Sequence, residues 1–117
     1  MFIAMRTGAL SLTLCLLALH CGPTPRGTIG AVLGRTGEGR VFLRDVPHHL
    51  AAGRAGLAPG DEILLVDGRD VRQLSEAQLR QALEGDVGAD LKLTVVRGEQ
   101  VLRLTLQRSM AERYRVR

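Results

Sequence analysis

Side chains able to do covalent chemistry are few beyond residue 21, and none is arranged for it. The serines there are Ser75 and Ser109. Ser75 precedes an amphipathic stretch and reads as a helix cap, while Ser109 falls near the chain end. The lone lysine, Lys92, sits on the exposed side of a strand pattern, so a serine–lysine dyad has no framework. His48 and His49 are adjacent, so they cannot share one face of an element, and they read as surface loop. Cys21 with His20 offers too few ligands for a metal. The run Gly34-Arg35-Thr36-Gly37-Glu38-Gly39 is glycine-rich like a phosphate loop. It lacks the following Lys-Ser/Thr and the helix that such a loop needs. The expectation is a chain that binds without catalysing, with no cofactor and no metal.

Charge excludes another class. The formal net charge is +4 in 117 residues, but basic residues alternate with acids, and the aromatics are only Phe2, Phe42 and Tyr114. Nucleic-acid binding wants a basic face with stacking groups, and neither is present. The local excess of Arg108, Arg113, Arg115 and Arg117 reads as a solvated tail. At the other end, Arg6 precedes an apolar run from Ala9 to Leu19. That pattern fits an export signal, and a helix over Thr7–Leu19 would span about 20 Å, short of a ~30 Å hydrocarbon core. Cys15 lies within the run. Cys21 ends it and is followed by Gly22-Pro23-Thr24-Pro25. This arrangement resembles a bacterial lipoprotein signal, which implies lipidation of Cys21. Ala18-Leu19-His20 before the cysteine departs from the favoured pattern, and ordinary secretion is the alternative. At most one cysteine then remains, so no intramolecular disulfide is expected.

The elements that must position any site follow from periodicity. Residues 1–21 are expected as the signal and 22–27 as a Gly/Pro-rich linker. Residues 28–108 are expected as the folded domain and 109–117 as a basic tail. Within the domain, Ile29–Leu33 is a strand candidate. Arg40–Val46 alternates as its hairpin partner across the glycine loop. Pro47 stops that strand, and Leu50–Ala55 allows one or two helical turns ended by Gly56. Glu62–Val66 is a strand, Asp67-Gly68 a two-residue hairpin turn, and Arg69–Val71 a brief partner. Asp61 reads as a turn cap. Ser75 opens the one clear helix, with Glu76 in its first turn and Leu79, Ala82 and Leu83 on one face. Gly85 is expected to end it in a left-handed conformation. Leu91–Val96 and Val101–Leu106 alternate around Gly98-Glu99. The fold class is α+β: a small, partly open antiparallel β-sandwich or barrel with five to six strands and two helices.

Ala55–Val71, AGLAPGDEILLVDGRDV, closely resembles the central signature of PDZ domains, in the version found in bacterial carboxy-terminal processing and periplasmic serine proteases. Leu74–Gly98 resembles the segment holding the peptide-flanking helix and the strand after it. Thr28–Leu33, TIGAVL, resembles the carboxylate-binding loop and binding strand. Val101–Leu106 would supply the strand that other members carry at their start, the permuted bacterial arrangement. The resemblance implies a module that binds protein C-termini or extended peptides by strand addition. Its carboxylate-binding loop would be Ile29, Gly30 and Ala31, with Gly30 permitting unusual φ and close approach. The groove would be completed by Leu33, Glu76, Arg80 and Leu83, with an apolar pocket selecting an apolar last residue. Glu76 stands where many members carry a His that selects Ser or Thr, so no such selection is implied. Arg80 is either a contact for an acidic ligand side chain or solvated surface. Leu83 is expected to face the groove and Leu79 the core. The implied setting is the bacterial envelope, with membrane attachment through the lipid and a periplasmic protease or secretion complex as partner. An architectural role that uses the sheet edge for assembly is the alternative.

Overall fold

The computed structural model describes residues 25–110. The expected signal, Cys21 and the residues after Met110 lie outside the described residues. Leu91, Leu93 and Val95 are buried and Lys92 is exposed, so period-two alternation drives strand β7, Asp90–Arg97. It pairs along its whole length with β8, Gln100–Gln107, across Gly98 at φ +62°. The other edge of β7 pairs with β4, Glu62–Val66, whose Ile63 and Val66 are buried. Asp67 and Gly68 both take positive φ, the geometry that a two-residue hairpin needs, and return the chain as β5, Arg69–Asp70. Asp67 is locked there, since its N–H donates to Lys92 O at 2.8 Å and its Oδ1 accepts from Lys92 N at 2.9 Å.

Strand β3, Val41–Asp45, pairs with β4 and with β2, Val32–Arg35. The order β2-β3-β4-β7-β8, with β5 on β4, makes one antiparallel sheet of six strands. A second sheet, β6-β1-β9, joins Gly85–Asp86, Arg26–Thr28 and Ser109–Met110. Helix α1, Ala51–Arg54, buries Ala51 and Ala52 and stops before Gly56 at φ +90°. Helix α2, Glu76–Leu83, follows a single 3-10 turn at Val71–Gln73.

The class and the two helices are as expected, but there are nine strands among the described residues, and the sheets do not close into a barrel. The added pairings are two or three residues long. Two residues cannot show a period, so only their distant partners reveal them. Three boundaries differ from the expectation. Arg26 and Gly27, expected as linker, lie in β1, and Ser109, expected as tail, pairs with Thr28. β2 begins at Val32 and not at Ile29, because Gly30 at φ +67° interrupts extension. Gly34 is inside β2, and the tip is Thr36–Gly39, closed by Gly39 N–H to Thr36 O at 3.0 Å.

Two charged residues are structural. Asp61 is buried and does cap its turn, accepting from Ala58 N–H at 2.9 Å. It also takes two bonds from Arg97, Nε to Oδ1 at 2.9 Å and Nη2 to Oδ2 at 2.8 Å. The Arg97 guanidinium holds this carboxyl below the usual carboxylate range, although burial opposes that. Arg108, expected as a solvated tail residue, is buried instead. Its Nε donates to Leu83 O at 3.0 Å, Nη2 to Ala82 O at 3.1 Å and Nη1 to Asp90 O at 3.2 Å. It thus satisfies carbonyls left over at the end of α2 and lays a cation on the negative helix end. Gly85 is not left-handed: α2 ends in an extended Glu84, and a Cβ on Gly85 would lie 2.8 Å from Arg108 Cζ. Its role is to admit that guanidinium.

Candidate functional site

β2 is the outer strand of the larger sheet, so its free edge can accept a further strand. Facing it across a cavity of about 360 Å³ is α2. Ile29, Ala31 and Leu33 form one wall, Leu79 and Leu83 the other, and Val41 lies between them. Arg35, Glu76, Arg80 and Glu84 add charge to the lining, so the groove is apolar along its centre and not throughout.

The loop before β2 is held from both sides. Gly30 N–H donates to Thr28 Oγ1 at 3.0 Å, and Ile29 O accepts from Ala52 N–H at 2.8 Å. Gly30 itself does not line the cavity. Its φ of +67° turns the chain, and a Cβ there would collide with Leu50. No group among the described residues accepts from the backbone N–H of Ile29 or Ala31. Those two amides, beside Gly30, are the candidate donors for a ligand anion.

Helix α2 is pinned at both ends, which makes the groove preformed. Ser75 Oγ accepts from Gln78 N–H at 3.1 Å, and Gln78 Oε1 accepts from Ser75 N–H at 2.9 Å, a complete capping box. The sequence reading recognised Ser75 but not Gln78, although the Ser-x-x-Gln spacing was the signal. Arg108 holds the far end. Arg26, beside the loop, donates to Glu84 Oε2 at 3.2 Å, tying the C-terminal end of α2 to β1.

Of the predicted groove residues, Ile29, Ala31, Leu33, Glu76, Arg80 and Leu83 come together around the cavity. Six lining residues were not expected from the sequence: Thr28, Gly34, Arg35, Val41, Leu79 and Glu84. The split between a groove-facing Leu83 and a core-facing Leu79 does not hold. Both line the cavity, and they are equally buried, at 6% and 7% exposure. One α-turn separates them, so they present the same side of α2 to the same opening. His48 and His49 are exposed between β3 and α1, away from the groove lining. Among the described residues no cluster of three His, Cys, Asp or Glu could hold a metal.

Three comparisons bear on this geometry. The PDZ domain family matches residues 20–96. The chain is 38% identical over 78 residues to the magnetosome formation protease MamE of Paramagnetospirillum magneticum, covering 67% of this chain and 11% of that protein. The PDZ domain of the carboxy-terminal protease of Vibrio cholerae, solved in complex with a peptide, superposes with a TM-score of 0.61 at 25% identity, over 74% of this chain and 96% of that one. A variant of the HtrA-type protease AlgW, solved with a decapeptide, superposes with a TM-score of 0.69. Its identity is 19%, over 83% of this chain and 32% of the protease, which shows the fold alone. The chain thus spans about a tenth of its curated relative and about a third of that protease.

Proposed function

The chain belongs to the PDZ domain family, and on that premise we propose that it is a non-catalytic module binding protein C-termini or extended peptides as an added strand beside β2. The observation that carries this reading is the open groove between β2 and α2, which ends at the amides of Ile29 and Ala31. An extended ligand satisfies the free edge of β2 through main-chain hydrogen bonds. Its carboxylate takes the loop amides, and its last side chain enters the apolar centre between Ala31, Leu33, Leu79 and Leu83. That the Vibrio cholerae PDZ domain was solved in complex with a peptide supports a peptide ligand here. The open groove favours a free peptide over a purely architectural use of the edge.

The wider setting belongs to the same proposal. Residues 1–21 act as an export signal, Cys21 carries lipid, and the domain works at the bacterial envelope beside a protease or secretion complex. The likeness to the protease MamE supports the protease association.

The deciding experiment compares peptides that differ only at the carboxylate. A ten-residue peptide ending in Leu should bind the purified protein, and its C-terminal amide should bind roughly 10- to 150-fold more weakly, since a charge-assisted hydrogen bond contributes about 1.5–3 kcal/mol. Equal affinity for acid and amide would remove the carboxylate role and leave binding of internal segments.

A further inference from the structure

The end of the groove away from the Gly30 loop holds a cation that the fold has positioned without an anion. Arg35 is the last residue of β2, and its Nη2 donates to Val71 O at 2.6 Å and to Leu74 O at 2.7 Å. Leu74 directly precedes the Ser75 cap, so these bonds hold the guanidinium at the N-terminal end of α2. A guanidinium has five N–H donors, and Nε and both Nη1 hydrogens are not used by the two carbonyls. Arg26, Arg40, Arg72 and Arg97 each pair with a carboxylate, whereas among the described residues none pairs with Arg35. Arg35 is half-buried and already ordered, so a ligand carboxylate would lose little side-chain entropy in meeting it.

The axis of the groove fixes where that carboxylate must sit. Arg26 pairs with Glu84, so the loop end lies beside the C-terminus of α2 and the Arg35 end beside Glu76. Ala31, Leu33 and Arg35 all line the cavity, at every second residue. From Ala31 to Arg35 the chain advances about 13 Å, roughly four residues of an extended ligand. We propose that Arg35 reads a ligand carboxylate, so that the groove selects extended peptides with an apolar C-terminal residue and an Asp or Glu about four positions upstream. This rests on the groove reading above. Glu76, at the same end, is exposed, and a solvated charge at a surface acts weakly. A bidentate bond to a half-buried, fixed guanidinium is the stronger effect. Arg80 on the lining is exposed like Glu76, so these two opposite charges are both weak and roughly offset each other.

The test uses the purified full chain and fluorescein-labelled ten-residue Ser/Ala peptides ending in Leu. A single Glu, Gln or Lys is walked through the upstream positions, and affinity is read by anisotropy. One position should favour Glu over Gln by about 5- to 10-fold, with Lys weakest and the preference shrinking as salt rises. Arg35→Gln should bring the ratio of Glu-peptide to Gln-peptide affinity to about 1, whatever its overall affinity, and Arg35→Lys should keep part of the preference. Thermal melts establish that each variant is folded. If Arg35→Gln does not fold, Arg35→Lys and the peptide series decide. Equal binding of the Glu, Gln and Lys peptides at every position overturns the Arg35 inference and leaves the groove reading standing. A Glu preference that survives Arg35→Gln also overturns it. Failure of every peptide, acid or amide, overturns both.

Discussion

At the scale of the residue, Asp61 shows how much one buried carboxylate contributes when its partner can reach water. Its side chain is 3% exposed, whereas that of Arg97 is 43% exposed. Arg97 also donates to Gly56 O at 2.8 Å, so the pair ties the turn before β4 to the end of β7. Asp61→Asn leaves a cation that water re-solvates, which keeps the loss below the 3–5 kcal/mol of a stranded buried charge. About 2 kcal/mol is expected, or roughly 8–16 °C in Tm for a domain of this size. The pH dependence has a definite sign. Arg97 lowers the pKa of Asp61 in the folded state, so its contribution is complete above the unfolded value of about 3.9 and is lost as pH falls through the lowered folded value. Glu62, lowered chiefly by its hydrogen bonds from Arg40, behaves alike. Melts from pH 7 to pH 2 should therefore fall steeply at the acid end for the parent and less steeply for Asp61→Asn. Parallel curves would show that the Asp61–Arg97 pair contributes nothing to acid stability.

At the scale of the element, α2 is both groove wall and core. Leu79 and Leu83 belong to one buried cluster with Ile29, Val41 and Leu91, while also lining the cavity. Reading the helix as a strip with separate binding and structural faces therefore misassigns its mutants. Leu79→Ala and Leu83→Ala should each cost about 2–5 kcal/mol of the ~5–15 kcal/mol available, and each should weaken peptides with apolar C-termini. Leu83→Glu should unfold much of the population, because it buries a carboxylate where a leucine is 6% exposed. Melts and peptide titrations on the three variants check this. A Leu83→Glu protein that melts with the parent would return Leu83 to a solvent-open face.

At the scale of the whole molecule, the groove stands on contacts made by the two ends of the domain. β1 and β9 pair beside the loop, Ser109 Oγ accepts from Ala51 N–H at 3.2 Å, and Arg108 holds the end of α2. The proposed lipid anchor, Cys21, lies five residues before Arg26 of β1 in the sequence. Mass spectrometry of the membrane fraction should find a mature protein beginning at a diacylated Cys21, and a soluble product with another N-terminus would leave export without the anchor. Sequence by itself determined β4, the Asp67-Gly68 turn, the Ser75 cap, α2 and the β7–β8 hairpin, together with half of the groove lining. Each is written in neighbouring residues, as a period of two or of 3.6 or as a residue suited to positive φ. Only the tertiary structure decided β1, β6 and β9, the burial of Arg108, and the placing of Arg35 over the Val71 and Leu74 carbonyls. Those depend on partners about 25 to 80 residues away in the chain, paired over two or three residues or through one side chain, and so short a contact leaves no period to read.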